Sequence, residues 1–293
     1  MNKKYRGKYL RKKRLRRGGG LALGMLMVFF AGVAAFGGWK FYTQQQEYQT
    51  GTDSYAALAS AAVNQQAPDF SGMDVLYYET TLSDGKQTHV NAETAVEGAA
   101  AITEPAALQV DFEVLRSVNE QTVAWITGCG GAIHYPVVQS GDNEFYLTHL
   151  FDGTANKNGA IFVDCRNNSD FSDRNTFIYG HNMRNGAMFA ALANYSSQAY
   201  YDAHPALTLV TTDGTYSLQV FSGYVTPGIS DSYQMDYADD AAFQAYLDQI
   251  QSQSDFVPLI RVTAADRIVT LSTCTYDYED ARYVLHCKLM PMQ

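Results

Sequence analysis

The stretch RIVTLSTCTYDYEDARYVLHCKL, residues 267–289, holds two runs of alternating apolar and polar residues on either side of an acidic segment. Alternation at a period of two is the pattern of a β-strand, whose side chains point to opposite faces in turn. Residues 267–273 and 283–289 are therefore expected as paired strands of a hairpin. On the first strand Val269 and Leu271 face a core, while Thr270, Ser272 and Cys274 face outward. This parity sets a thiol at a strand end on an exposed face, where it can act as a nucleophile. A free cysteine is more often a small buried residue; that description suits Cys287, which shares a face with Tyr283, Leu285 and Leu289. Arg282 opens the second strand, so the hairpin carries a guanidinium back beside Cys274, where it can bind a developing oxyanion. With Asp277, Glu279 and Asp280 nearby, it could equally be a solvated surface charge.

Upstream, short apolar runs between turn signals recur at 123–127, 133–138, 159–163, 176–179, 207–211 and 216–225. Eight short strands at this spacing predict a mainly-β fold, a closed or nearly closed β-barrel. The 21 Tyr and 15 Phe against 2 Trp suit such a fold. Helices are expected at 112–118, ahead of the barrel, and at 187–192. A longer one, 239–252, is inserted before the cysteine strand, with Ala242, Phe243, Tyr246, Leu247 and Ile250 on one face.

The chain has 293 residues, 46% of them hydrophobic and 17% charged, which excludes a disordered polyelectrolyte. Its net charge of −9 is unevenly spread: residues 1–17 hold ten Lys and Arg and no acid. The remaining residues hold 11 basic and 30 acidic groups, so the basic run is a terminal tail and nucleic-acid binding finds no support. Residues 18–39 are uncharged and as a helix would span about 33 Å, enough for a bilayer core of about 30 Å. The preceding charges predict a cytoplasmic N-terminus, a single-pass anchor in the plasma membrane and an exported remainder, with Trp39, Phe41 and Tyr42 as an interfacial belt. A cleavable signal peptide would carry a shorter apolar region and a small-x-small site. Residues 40–106, poor in periodicity and rich in Gln, Ala, Ser and Thr, are expected as an extracellular stalk. Within it lie a short helix near 55–63 and a turn at 83–86. Residues 107–293 are expected to form the catalytic domain. Its four cysteines, Cys129, Cys165, Cys274 and Cys287, have neither zinc-site spacing nor the density of a disulfide scaffold.

His181, in Tyr179-Gly180-His181-Asn182-Met183 after the run 176–179, supplies the partner that a working thiol needs. A lone histidine at a strand end is more usually a surface residue.

With these residues assembled, the chain resembles the sortases, membrane-anchored transpeptidases of Gram-positive bacteria. The resemblance covers about residues 107–293 and the N-terminal anchor. It rests on Thr270-Leu271-Ser272-Thr273-Cys274 with Arg282 downstream and His181 upstream. Details resemble class B: Met188-Phe189 after the histidine, the Trp125-Ile126 and Tyr135-Pro136-Val137-Val138 blocks, Asp142-Asn143 with Tyr146-Leu147, and the inserted helix. No aspartate–proline–aromatic lid of the class C kind is found in the stalk. The resemblance implies a closed eight-stranded barrel of the sortase type. It also implies that Cys274 attacks a C-terminal sorting motif of secreted proteins, that Arg282, with a backbone N–H near the cysteine, holds the oxyanion, and that His181 moves the proton. A thioacyl-enzyme then passes to a peptidoglycan precursor amine, with no metal or other cofactor required. Family matching sets Asn143 and Leu147 on one groove wall, Tyr179 beside the histidine and Ser272 beside the cysteine; Leu147 and Tyr179 could instead be barrel core. The same residues would serve a membrane-tethered cysteine peptidase with water as acceptor, or a pilus-assembling sortase. A stalked adhesin would leave the thiol unexplained.

Overall fold

The structure, a computed structural model, describes residues 18–63 and 108–292. The basic tail and the expected turn at 83–86 lie outside the described residues. In chain order the strands are β1 (Thr122–Gly128), β2 (Ile133–Val138), β3 (Ile161–Val163), β4 (Asn175–Tyr179), β5 (Ala206–Thr211), β6 (Gly214–Pro227), β7 (Ile268–Cys274) and β8 (Ala281–Pro291). They close into one barrel in the order β1-β2-β3-β4-β7-β8-β6-β5. Closure leaves no open sheet edge. Six pairings are antiparallel, while β2–β3 and β4–β7 are parallel. Parallel neighbours need long crossovers, and the crossover from β4 to β7 carries β5, β6 and two α-helices. The expected strands match the observed ones closely, because alternating runs of Val, Ile, Leu and aromatics have only one way to bury one face.

Inside the barrel Val269, Leu271, Leu285 and Cys287 belong to the main core with Ile126, Val137, Ile161 and Leu209. The outward face of β7 departs from expectation: Thr270 and Ser272 are buried, not exposed. They lie beside a second core, where helix α4 (Asp240–Ser252) packs against the barrel wall. Helices α1 (Gly18–Ala62), α2 (Phe112–Val118) and α3 (Gln198–Ala203) precede it; α3 had no signal in the sequence. α4 starts at Asp239, whose carboxylate accepts from Ala242 N at 2.8 Å. It buries Phe243, Tyr246, Leu247 and Ile250, spaced i, i+3, i+4, i+7 on one face. Burying each such side chain is worth about 1.5–3 kcal/mol, so the insertion is a firmly seated part of the domain. The helix expected at 187–192 appears three residues later, as a 3₁₀ segment Ala190–Ser196. Met188 has φ 59°, and its N–H goes to Tyr135 Oη at 3.0 Å, which prevents a helix from starting there.

The chain divides into two compact units, Met1–Glu47 and Tyr48–Gln293. The first contains the exposed apolar part of α1, a helix long and apolar enough to cross a membrane. Residues 48–62 of α1 belong to the second unit, which corrects the expectation of a stalk throughout 40–106. Here Tyr48, Gly51, Tyr55, Leu58 and Ala62 form a buried or half-buried stripe at helical spacing. The Tyr55 hydroxyl donates to Gly159 O at 2.7 Å and accepts from Phe151 N at 3.2 Å, and its ring meets Tyr135 edge-on. Beyond the helix, Val63 bridges to Val110, and Asp111 N donates to Ala62 O at 2.8 Å. Asp111 then caps α2, which buries Leu115.

Candidate active site

Parallel pairing decides the location of the site. β4 and β7 run side by side with Tyr179 opposite Ser272, so the residues that follow both strands emerge at one rim. His181 and Cys274 each lie two residues beyond that pair, and Gly180 N donates to Ser272 O at 3.1 Å to carry the ladder on. The antiparallel hairpin supplies the third group: Cys274, the last residue of β7, is the direct cross-strand partner of Arg282 on β8. A groove of about 450 Å³ opens at this rim. Its lining includes all seven residues singled out from the sequence: Asn143, Leu147, Tyr179, His181, Ser272, Cys274 and Arg282.

Hydrogen bonds hold the three polar groups from behind. Asn182 Nδ2 donates to Cys274 O at 2.9 Å, tying the histidine loop to the end of the cysteine strand. His181 Nε2 donates to Leu147 O at 2.6 Å; a carbonyl only accepts, so this nitrogen carries a hydrogen in the resting arrangement. Arg282 donates through one terminal nitrogen to Asp280 Oδ1 at 2.8 Å and through the other to Ala281 O at 3.1 Å. The amide after the cysteine, Thr275 N–H, is engaged by Ala281 O at 3.0 Å. This amide is thus taken in the resting arrangement, where a backbone donor beside the guanidinium had been expected.

The four residues expected to touch substrate divide. Leu147 is exposed and presents an apolar side chain to the groove. Asn143 also serves the scaffold, its Oδ1 accepting from Cys165 N at 2.8 Å. Tyr179 is half-buried against the main core, and its hydroxyl donates to Asp164 at 2.9 Å. Ser272 lies only 3% exposed because Tyr233 covers it, with the two hydroxyls 2.8 Å apart. Burial pushes the Tyr233 phenol up to about 12, so it stays a neutral hydrogen-bonding group. Cys129 and Cys287 are buried, and burial raises both thiols, which suits core residues and not nucleophiles.

Sequence reasoning missed part of the wall. Arg166 lines the groove and grips the buried Asp164 through Nε at 2.9 Å and a terminal nitrogen at 2.7 Å. Burial by itself would raise the Asp164 carboxyl. The hydrogen bonds from Arg166, with those from Asn143 and Tyr179, overcome this and hold it down at about 2. Ile229, 93% exposed, and Tyr233 come from the loop between β6 and α4. Neither loop carries a periodic pattern; only the placement of an isoleucine among Gly, Ser and Asp at 228–231 hinted at a use for it. Among the described residues, no group of three or more His, Cys, Asp and Glu converges where a metal could sit.

Comparison with known proteins follows this geometry. A family model described as the sortase domain matches residues 126–290. Sortase B of Listeria monocytogenes is 34% identical over 216 residues, covering 72% of this chain and 85% of that protein. Sortase B of Staphylococcus aureus is 35% identical over 181 residues, 61% of this chain and 74% of that one. Among solved structures, a Staphylococcus aureus sortase B–substrate complex matches with TM-score 0.59 and 34% identity, covering 62% of this chain and 85% of that one. The sortase B structure from Bacillus anthracis matches with TM-score 0.64 and 29% identity, over 84% of this chain and 99% of that one.

Proposed function

The chain belongs to the sortase family of cysteine transpeptidases, and from that premise we propose that it joins secreted proteins to the cell wall while anchored in the plasma membrane. Its substrates are exported proteins with a sorting motif near the C-terminus. Its acceptor is an amino group of a peptidoglycan precursor. The observation that carries this reading is the cross-strand pairing of Cys274 with Arg282 at a groove that His181 also lines.

The chemistry divides among the three residues. The Cys274 thiolate attacks a peptide carbonyl of the motif, forming a C–S bond and a tetrahedral oxyanion. Arg282 donates to that oxygen, whose charge exists only around the transition state. Collapse breaks the C–N bond, and His181 gives a proton to the departing amine. The acceptor amine then attacks the thioacyl carbon and passes a proton to His181, and the C–S bond breaks to return the thiolate. Leu147, Ile229 and Tyr179 give the groove apolar walls, and Asn143, Ser272 and Arg166 give it polar ones. The topology follows the charge pattern: residues 1–17 cytoplasmic, 18–39 in the membrane, and the barrel outside. The test is mass spectrometry of the protein incubated with candidate sorting peptides, with and without an added amine. A thioacyl adduct on Cys274 that turns into an amide product only when amine is present supports a transpeptidase. Hydrolysis at the same rate with and without amine would make the chain a peptidase.

A further inference from the structure

Arg282 reaches the groove with a partner that the reaction scheme does not mention. Asp280 Oδ1 accepts from it at 2.8 Å. Asp280 sits just beyond the last β6–β8 pair, Pro227 with Ala281, at the end of the loop that begins at the nucleophile. Its φ is 60°, a left-handed conformation uncommon for a residue with a side chain. The backbone is fixed there from across the sheet, because Gly228 N donates to Asp280 O at 2.9 Å. The carboxylate lies against the same glycine: a Cβ at Gly228 would fall 2.7 Å from Asp280 Oδ2 and 2.9 Å from Oδ1. The aspartate is therefore held on its backbone side by Gly228 and is free of steric conflict only because Gly228 has no side chain.

The pair is not there for stability. The Asp280 side chain is 54% exposed and that of Arg282 30%, and ion pairs this wet contribute little to folding. Geometry is what such a pair can fix. A guanidinium on a flexible stem has five N–H donors in a rigid plane. Once Asp280 and Ala281 O hold one donor on each terminal nitrogen, the plane is set and the remaining donors keep a constant direction. We propose that Asp280, seated by Gly228, is a positioning residue that aims Arg282 at the oxyanion.

This inference rests on the oxyanion role of Arg282, and the experiment separates the two. Asp280→Gly removes the carboxylate while suiting the left-handed backbone better than aspartate does, so the variant is expected to fold with an unchanged or higher Tm. Thioacylation by the full chain in detergent is measured under single-turnover conditions for wild type, Asp280→Gly, Arg282→Ala and the double variant. Misaiming a group by about 1 Å can cost about a hundredfold, so Asp280→Gly should slow the step by about tenfold to a hundredfold with the half-saturating peptide concentration within about twofold. In the Arg282→Ala background the same change should do nothing further. Asp280→Asn, which keeps an acceptor oxygen, should fall between. Gly228→Ala, which displaces the carboxylate without deleting it, should slow the wild-type enzyme but not the Asp280→Gly one. Wild-type or faster turnover in Asp280→Gly, beside a slow Arg282→Ala enzyme, refutes the positioning role alone. An equal loss in both backgrounds also refutes it. Wild-type turnover in Arg282→Ala refutes the oxyanion reading and this inference together.

Discussion

Replacing Tyr55 with phenylalanine removes a single oxygen and tests whether residues 48–62 are part of the catalytic unit. Tyr55 is 4% exposed, and its hydroxyl both donates to Gly159 O and accepts from Phe151 N. Deleting it strands a buried carbonyl and a buried amide, at about 1–3 kcal/mol each. Relaxation recovers some of that, so a loss of about 2–4 kcal/mol is expected, or roughly 5–15 °C in Tm for a domain of this size. The effect should reach the reaction as well. Gly159 has φ 60°, and a Cβ there would lie 2.9 Å from His181 Cδ2 and 3.0 Å from Leu147 O, the carbonyl that holds the histidine. The helix thus supports the histidine wall of the groove through one backbone residue. Thermal denaturation and thioacylation rates are compared for a chain beginning at Lys40, its Tyr55→Phe variant and a chain beginning at Ala107. The chain from Ala107 should be less stable than that from Lys40, and both altered proteins should react more slowly. Equal Tm and equal rate in all three would show that the contacts of Tyr55 carry no weight and that the domain starts after the helix.

Other expectations concern the site and pH. Cys274→Ala should form no thioacyl adduct, whereas replacing Cys129, Cys165 or Cys287 with Ala should leave a measurable rate; an adduct on Cys274→Ala would move the nucleophile elsewhere. Arg282→Ala should lose about a hundredfold to a thousandfold in kcat with little change in Tm. Arg282→Lys should retain part of that activity, because it keeps the charge but not the planar fork; steady-state kinetics decide. His286 is wholly buried, next to Thr270 Oγ1 at 2.9 Å and Tyr224 Oη at 3.4 Å, and burial lowers its pKa to about 3. The unfolded chain takes up a proton near pH 6.5 and the folded chain does not, so stability falls as pH drops below 6.5 towards 3. The slope approaches about 1.4 kcal/mol per pH unit. The Asp164 carboxyl, depressed to about 2, adds a loss in the same direction only below about pH 4. Burial also lowers the pKa values of His134 and His204, so urea denaturation between about pH 7 and 4.5 is compared for wild type and His286→Gln, whose curve should be the flatter by the His286 share.

The barrel was legible because its strands alternate and because the hairpin that holds Cys274 and Arg282 does so most clearly. Once the parity of Val269 and Leu271 is known, the register brings the two polar groups together. Nothing local distinguishes His181 from a surface histidine; it is the presence of an outward-facing thiol elsewhere in the chain that singles it out. What stayed hidden depends on tertiary cover. Parity turned Ser272 outward correctly but could not reveal that Tyr233 and α4 would bury that face. A short helix is expected near 55–63, but the buried stripe of Tyr48, Gly51, Tyr55, Leu58 and Ala62 starts earlier and includes a glycine, which does not register as hydrophobic. Asn143 lines the groove, and its bond to Cys165 N depends on a loop whose path no pattern specifies.

The hairpin that joins Cys274 to Arg282 also separates what must be kept from what can vary. Their alignment is set by the ladder between β7 and β8, in which Leu271 faces Leu285 and Thr273 faces Tyr283, and not by the loop that connects them. Residues 275–280 can therefore be lengthened, shortened or exchanged for the corresponding loop of a relative without moving the sulfur relative to the guanidinium, provided that a carboxylate is restored at the loop's end. A one-residue slip within β8 would instead turn the arginine to the opposite face, and one within β7 the cysteine. The loop is thus free to differ in length and sequence while the two strands hold the sulfur and the guanidinium in one fixed relation.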